Sequence, residues 1–164
     1  MTDLRFDSIP LAEHLTPQAR AWGEALKLGF HRPAPSDEEA ERWWQCVLSD
    51  RQRLTGVYDD DLPTPTTDPR PVATFSSFDL TVNTGSGRLV TCNFISDVTV
   101  RPTHRRRGLL RQLISADLAA AVERGVPFAS LTAIEGSVYG RFGFGVATMR
   151  PSSGCGSSWV TSTW

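Results

Sequence analysis

The sequence predicts an α/β domain, and three observations carry that assignment. Residues 98–111, Val-Thr-Val-Arg-Pro-Thr-His-Arg-Arg-Arg-Gly-Leu-Leu-Arg, read as a strand, a tight loop and the start of a helix. Two helix-opening signals, Thr16-Pro17 and Ser36 with Glu39, precede it. Two long alternating segments, Val72–Val82 and Arg88–Val100, flank an Asn-Thr-Gly-Ser-Gly turn.

Taken in order, Leu4 and Phe6 alternate as in a short first strand. The helix after Thr16 places Ala19, Trp22 and Leu26 on one side and ends near Gly29. A proline-punctuated connection leads to the Ser36 helix, which carries Ala40, Trp43, Trp44, Val47 and Leu48 at three- and four-residue spacing. Adjacent tryptophans suggest a stacking platform for bases or sugars. Core packing is the better reading: one ring on the sheet, the other along an edge or groove.

Arg53–Tyr58 reads as a strand, followed by Asp59-Asp60-Asp61. Consecutive carboxylates on an extended chain point to opposite faces, so a solvated turn is expected and a metal is not. In Val72–Val82, Val72, Thr74 and Ser76 face one way, and Ala73, Phe75 and Ser77 the other. The pattern of Arg88–Val100 breaks at Ser96-Asp97, which predicts a bulge or a splayed strand.

Pro102 ends the strand, because it has no N–H to donate. Thr103 is read as the cap of a helix whose apolar face is Leu110, Leu113, Ile114, Leu118, Ala121 and Val122. Unpaired N–H groups and a partial positive charge gather at such a helix start, and Gly108 lets a ligand approach the backbone. With three arginines beside it, the loop suits a phosphate or diphosphate. For the arginines alone, a solvated basic turn is the alternative. A strand at Val126–Ala133, a helical turn from Glu135 to Arg141 and the start of a strand at Val146–Met149 complete the pattern. Arg150–Trp164 is rich in Ser, Gly and Thr; a strand at Ser158–Thr163 is one option there but is not assigned.

The formal net charge is −1, so the basic cluster is local, which argues against general nucleic-acid coating. Cys46, Cys92 and Cys155 are odd in number and widely spaced, and His14, His31 and His104 lack ligand spacing. Neither a disulfide framework nor a metal site is expected. No signal segment or membrane-length apolar run is present, so cytoplasmic localisation without a membrane is the expectation.

With these blocks in place, the sequence resembles the GNAT-type N-acetyltransferases, and more narrowly the N-terminal domain of the Eis-like (enhanced intracellular survival) family. Residues 98–111 resemble the acetyl-CoA motif, and Glu135-Gly-Ser-Val-Tyr-Gly-Arg-Phe-Gly-Phe-Gly145 resembles the second block at a similar separation. The resemblance implies a mixed, mostly antiparallel sheet splayed at the organising strand, with helices on both faces. It implies that the backbone at Val98, Thr99 and Val100 pairs with the pantetheine arm. Arg106, Arg107, Gly108, Leu109, Leu110 and Arg111 would cradle the diphosphate, with Arg105 at the motif's edge. Ile134 and Glu135 would lie along the thioester, and Tyr139 would be the general acid for the departing thiolate. A phenol suits that role, since its pKa lies above that of a thiol. Taken alone, Tyr139 would be read as packing.

Acetyl-CoA is therefore the expected cosubstrate, and a primary amine the acceptor: an aminoglycoside, a polyamine or a protein lysine. Asp97, Glu135 and Asp79 are candidates for an acidic acceptor pocket, and Asp97 is also a candidate base or a buried acid tied to backbone donors. Ile134 departs from the small polar residue of relatives. Residues 1–149 form the expected acetyltransferase domain and 150–164 an atypical tail. Eis-like proteins continue through two more domains, and their terminal carboxylate is the base. A chain stopping at Trp164 thus suggests a truncated or frame-shifted product, or a fragment. A strand edge left open that way predicts a homo-oligomer. A truncated domain that binds CoA or a partner without turnover is the second reading, and nucleic-acid binding through Arg101 and His104–Arg107 the third.

Overall fold

A computed structural model describes residues 4–62, 69–85, 87–133, 136–150 and 157–163, with 148–150 and 157–163 described by backbone alone. The chain divides into two compact units, Met1–Ser76 with Asp97–Leu110, and Ser77–Ser96 with Arg111–Trp164. Strands β3 (Ala73–Asn83) and β4 (Leu89–Val100) and helix α3 (Leu109–Glu123) contribute to both.

The first unit holds β1 (Leu4–Ile9), α1 (Pro17–Gly29), α2 (Asp37–Ser49) and β2 (Arg53–Asp59), with strand neighbours in the order β1-β2-β3-β4. The antiparallel β1–β2 ladder runs from Leu4 opposite Asp59 to Ile9 opposite Leu54. Both helices start where their caps require. Thr16 accepts from the Ala19 N–H at 3.2 Å, with Pro17 in the first turn. Ser36 and Glu39 exchange the two bonds of a capping box, at 2.9 and 3.3 Å. Each cap stabilises its helix by about 1 kcal/mol.

Ile9, Ala19, Trp22, Leu26, Trp44, Val47 and Leu54 form the unit's core. The buried tryptophans still need partners for their indole N–H groups. Trp22 donates to the Thr55 carbonyl at 2.9 Å and Trp44 to the Ala12 carbonyl at 3.1 Å. Trp43 stacks on Trp22 with centroids 5.7 Å apart and lines a shallow groove with Arg20, Lys27 and Glu39. The tryptophan pair is packing, as its spacing predicts.

The end of α1 lies directly on β4. A Cβ at Gly29 would stand 2.5 Å from Thr99 Cβ and 2.7 Å from its hydroxyl, which is fixed 2.7 Å from Thr74 Oγ1. Helix propensity alone favours alanine over glycine by about 1 kcal/mol. Overpacking against a pinned, branched side chain should reverse that sign. Gly29→Ala is expected to lose about 1–3 kcal/mol, or several degrees of melting temperature. Calorimetry checks it, and a rise in melting temperature would show that Thr99 yields.

The second unit holds the strand neighbours β3-β4-β5-β7-β6, adding β5 (Phe128–Ala133), β6 (Gly145–Arg150) and β7 (Ser157–Thr163). The β4–β5 pair is parallel, Asn93–Ile95 against Ala129–Leu131, and β4 runs on to Val100. β7 is antiparallel to both β5 and β6. The sheet is mixed. The strand at Ser157–Thr163 corrects the unassigned tail: its alternation is masked by Ser and Thr, which suit a strand when neighbours exist on both sides.

The face of α3 is narrower than predicted. Leu113, Ile114, Leu118 and Ala121 are buried, but Val122 is 57% exposed. Asp117 explains the rotation. It accepts from Ser77 Oγ at 2.5 Å and from Asn93 Nδ2 at 2.6 Å, which turns that side of the helix toward the strands. Among the described residues, no helix is long and apolar enough to cross a membrane.

Candidate functional site

The pattern break at Ser96-Asp97 is a real irregularity: Asp97 has φ +54° within β4. Its carbonyl accepts from Thr74 Oγ1 at 2.8 Å and its carboxylate from Ser76 Oγ at 2.9 Å. The alternation read in the sequence holds here, since Thr74 and Ser76 meet the bulge while Ser77 meets Asp117. Two hydroxyls thus bond to Asp97, one at its carbonyl and one at its carboxylate. Thr99 is buried, and Val98 and Val100 are half-buried on either side of it.

Beyond Val100 the Arg101 N–H bonds to the Val72 carbonyl at 2.8 Å, and Pro102–His104 forms a single 3₁₀ turn. Thr103 is not the helix cap that the sequence suggests. Its hydroxyl lies 2.8 Å from His104 Nδ1, and α3 starts only at Leu109. Proline followed by a tight turn defers the helix, because the backbone must first reverse through left-handed residues. These are Arg106, φ +65°, and Gly108, φ +79°.

Arg106, Arg107, Gly108 and Arg111 are exposed, whereas Leu109 is buried and Leu110 half-buried. Leu109 therefore anchors the first turn of α3 and leaves its unpaired N–H groups to the loop side. Among the described residues, Arg106, Arg107 and Arg111 enter no ion pair. The stretch from Arg106 to Arg111 thus presents cations and backbone donors along one continuous turn. Ile134 and Glu135 lie outside the described residues.

Tyr139 belongs to the second unit. In place of one helical turn, two 3₁₀ turns, Gly136–Val138 and Gly140–Phe142, flank it, and Gly143 at φ +87° closes the second. Its backbone, φ −93° and ψ −15°, sits in the bridge region that many active-site residues occupy. The ring packs edge-on against buried Phe144, with centroids 6.1 Å apart. Burial pushes the phenol pKa up, so it keeps its proton at neutral pH and remains a donor. Burial likewise pushes the Cys92 thiol up, beside Ser130 at 3.0 Å, which makes it a poor nucleophile. Asp79, a predicted acidic-pocket residue, is engaged by Arg124 at 3.3 Å.

The three aspartates that end β2 and follow it are not a uniformly solvated turn. Asp60 receives two bonds from Arg5, at 3.1 and 3.2 Å, but Asp59 turns inward to His104. Residues so far apart give no signal in one sequence; the only local hint is a histidine beside an arginine run. The bond from His104 holds the Asp59 carboxyl below its ordinary range, against the opposing effect of burial. A depressed folded pKa contributes stability that is present above the ordinary carboxylate pKa and lost as pH falls through the folded one. The wild-type melting temperature should therefore fall more than that of Asp59→Asn as pH drops below about 4, the ordinary carboxylate range. Parallel curves would show that the pair contributes nothing to acid stability.

A family model described as an acetyltransferase (GNAT) domain matches residues 16–147. An uncharacterized N-acetyltransferase of Streptomyces griseus is 43% identical over 136 residues, covering 81% of this chain and 30% of that protein. N-acetyltransferase Eis of Mycobacterium tuberculosis is 52% identical over 54 residues, 33% of this chain and 13% of the relative. Among solved structures, a probable N-acyltransferase from Enterococcus faecalis superposes with a TM-score of 0.70 at 18% identity, over 91% of this chain and 33% of its own. A chain of the NatC complex bound to Gag peptide and CoA gives 0.68 at 13% identity, over 99% of both chains. The chain spans about a third of the length of the curated relatives it matches.

Proposed function

Because the chain belongs to the acetyltransferase (GNAT) family, we propose that it binds acetyl-CoA and transfers the acetyl group directly to a primary amine. The observation that carries the reading is the turn from Arg106 to Arg111. Two left-handed residues, exposed arginines and a helix start there fit a diphosphate. The backbone of Val98–Val100, beyond the Asp97 bulge, supplies N–H and C=O groups to the pantetheine arm. Bound acetyl-CoA supplies an activated thioester: the amine lone pair forms the C–N bond, and the C–S bond breaks. Tyr139 gives its proton to the departing sulfur. Asp97, whose carboxylate Ser76 orients, is the candidate within this chain to take the amine proton.

The acceptor is a cationic amine of the aminoglycoside, polyamine or protein-lysine kind. The 52% identity to Eis, though confined to 54 residues, supports placing the chain near the Eis-like branch. Residues 1–149 act as the acetyltransferase domain. Cytoplasmic localisation, a homo-oligomeric assembly and the absence of nucleic-acid and membrane partners belong to the same reading.

A second reading is supported by the chain's coverage of about a third of its relatives: a CoA-binding domain that transfers little without further domains. Calorimetric titration with acetyl-CoA, followed by thiol release against a panel of amines, separates the two. Saturable binding with turnover supports the enzyme, and binding without turnover the second reading. No binding by a folded sample overturns both.

A further inference from the structure

Asp59, the last residue of β2, and His104, at the root of the arginine loop, are 45 positions apart and meet in the interior of the first unit. Imidazole Nε2 lies 2.8 Å from Asp59 Oδ2, and the two side chains are only 4% and 6% exposed. Nδ1 lies 2.8 Å from Thr103 Oγ1. Each ring nitrogen therefore has a partner, Nε2 the carboxylate and Nδ1 the threonine hydroxyl. The second carboxylate oxygen, Oδ1, accepts the Asp61 N–H at 3.2 Å. The imidazole is held at both nitrogens and the carboxylate at both oxygens. A buried polar pair so fully bonded is rigid.

The loop beside it carries local strain and like charges. Arg106 holds φ +65°, a conformation that side-chain-bearing residues resist, and Arg105, Arg106 and Arg107 carry like charges on adjacent positions. Backbone bonds fix the turn before it, the His104 N–H to the Arg101 carbonyl at 2.9 Å and the Arg105 N–H to the Pro102 carbonyl at 3.4 Å, and Arg105 Nε donates to the Val100 carbonyl at 3.5 Å. The imidazole is what ties this turn to β2. Resting on the CoA reading above, we propose that Asp59 and His104 are a positioning pair. They hold the Arg105–Gly108 loop in the conformation that receives the diphosphate, without touching the ligand.

The test compares CoA with S-acetylpantetheine, which lacks the diphosphate, in titrations of wild type, His104→Phe and Thr103→Val, with melting temperatures recorded. Phenylalanine keeps an aromatic ring, somewhat larger than imidazole, and removes both polar contacts. CoA affinity should fall about tenfold while S-acetylpantetheine affinity is unchanged. Thr103 is exposed, so Thr103→Val tests the same point if His104→Phe does not fold. It should weaken CoA about threefold, again without affecting the fragment. Equal losses for both ligands would mean a merely structural pair and overturn the proposal. Wild type that binds CoA, with both variants unchanged, overturns the pair alone. Wild type that binds neither compound overturns the cofactor reading, and the pair's role with it.

Discussion

Acetyl-CoA titrated into Gly108→Glu should give no saturable binding under conditions where wild type saturates. The effect has two separate sources. Gly108 holds φ +79°, where an L side chain is strained by about 1–2 kcal/mol, and a chain that relaxes this strain redirects the N–H groups on either side. The new carboxylate would then stand against a diphosphate, a like-charge contact of about 1–4 kcal/mol at close range. Together they predict at least about a thirtyfold loss of affinity. Gly108→Ala separates the sources: it should show the conformational loss alone, about tenfold. Gly108 is exposed, so both variants should stay folded, and circular dichroism with a melting curve checks that. Undiminished binding by a folded Gly108→Glu would remove the loop from the cofactor site.

The left-handed geometry that makes this prediction strong was only half legible in the sequence. Glycine announces Gly108, but nothing in an arginine run announces that Arg106 is left-handed too. The capped helices were readable because their signals are local: Thr16-Pro17 and the Ser36–Glu39 box act within one turn. The Asp97 bulge was readable as a break in period. Thr103 misled because Ser and Thr offer their hydroxyls equally to a helix start and to a neighbouring side chain, and here His104 won. Contacts across long stretches of chain left no trace. Asp59 with His104, and Ser77 and Asn93 with Asp117, are polar pairings that only the fold brings together. The candidate site was thus legible where it is a loop motif, and illegible where other elements hold that loop in shape.

Tyr139→Phe should leave acetyl-CoA binding nearly unchanged and lower kcat by about a hundredfold or more, the ordinary weight of a positioned general acid. The substitution removes one hydroxyl and keeps the ring that packs against Phe144, so the turns around it have no reason to move. A burial-raised phenol pKa means the group enters the reaction protonated, and a departing thiolate is the partner that gains most from it. The loss should therefore shrink with an acyl donor whose leaving thiol is more acidic, because that sulfur departs without help. Steady-state kinetics with two donors of different thiol pKa makes the comparison. A loss in KM with kcat intact would recast Tyr139 as a binding residue. A loss independent of the leaving group would place its hydroxyl on some other step, such as orienting the thioester carbonyl.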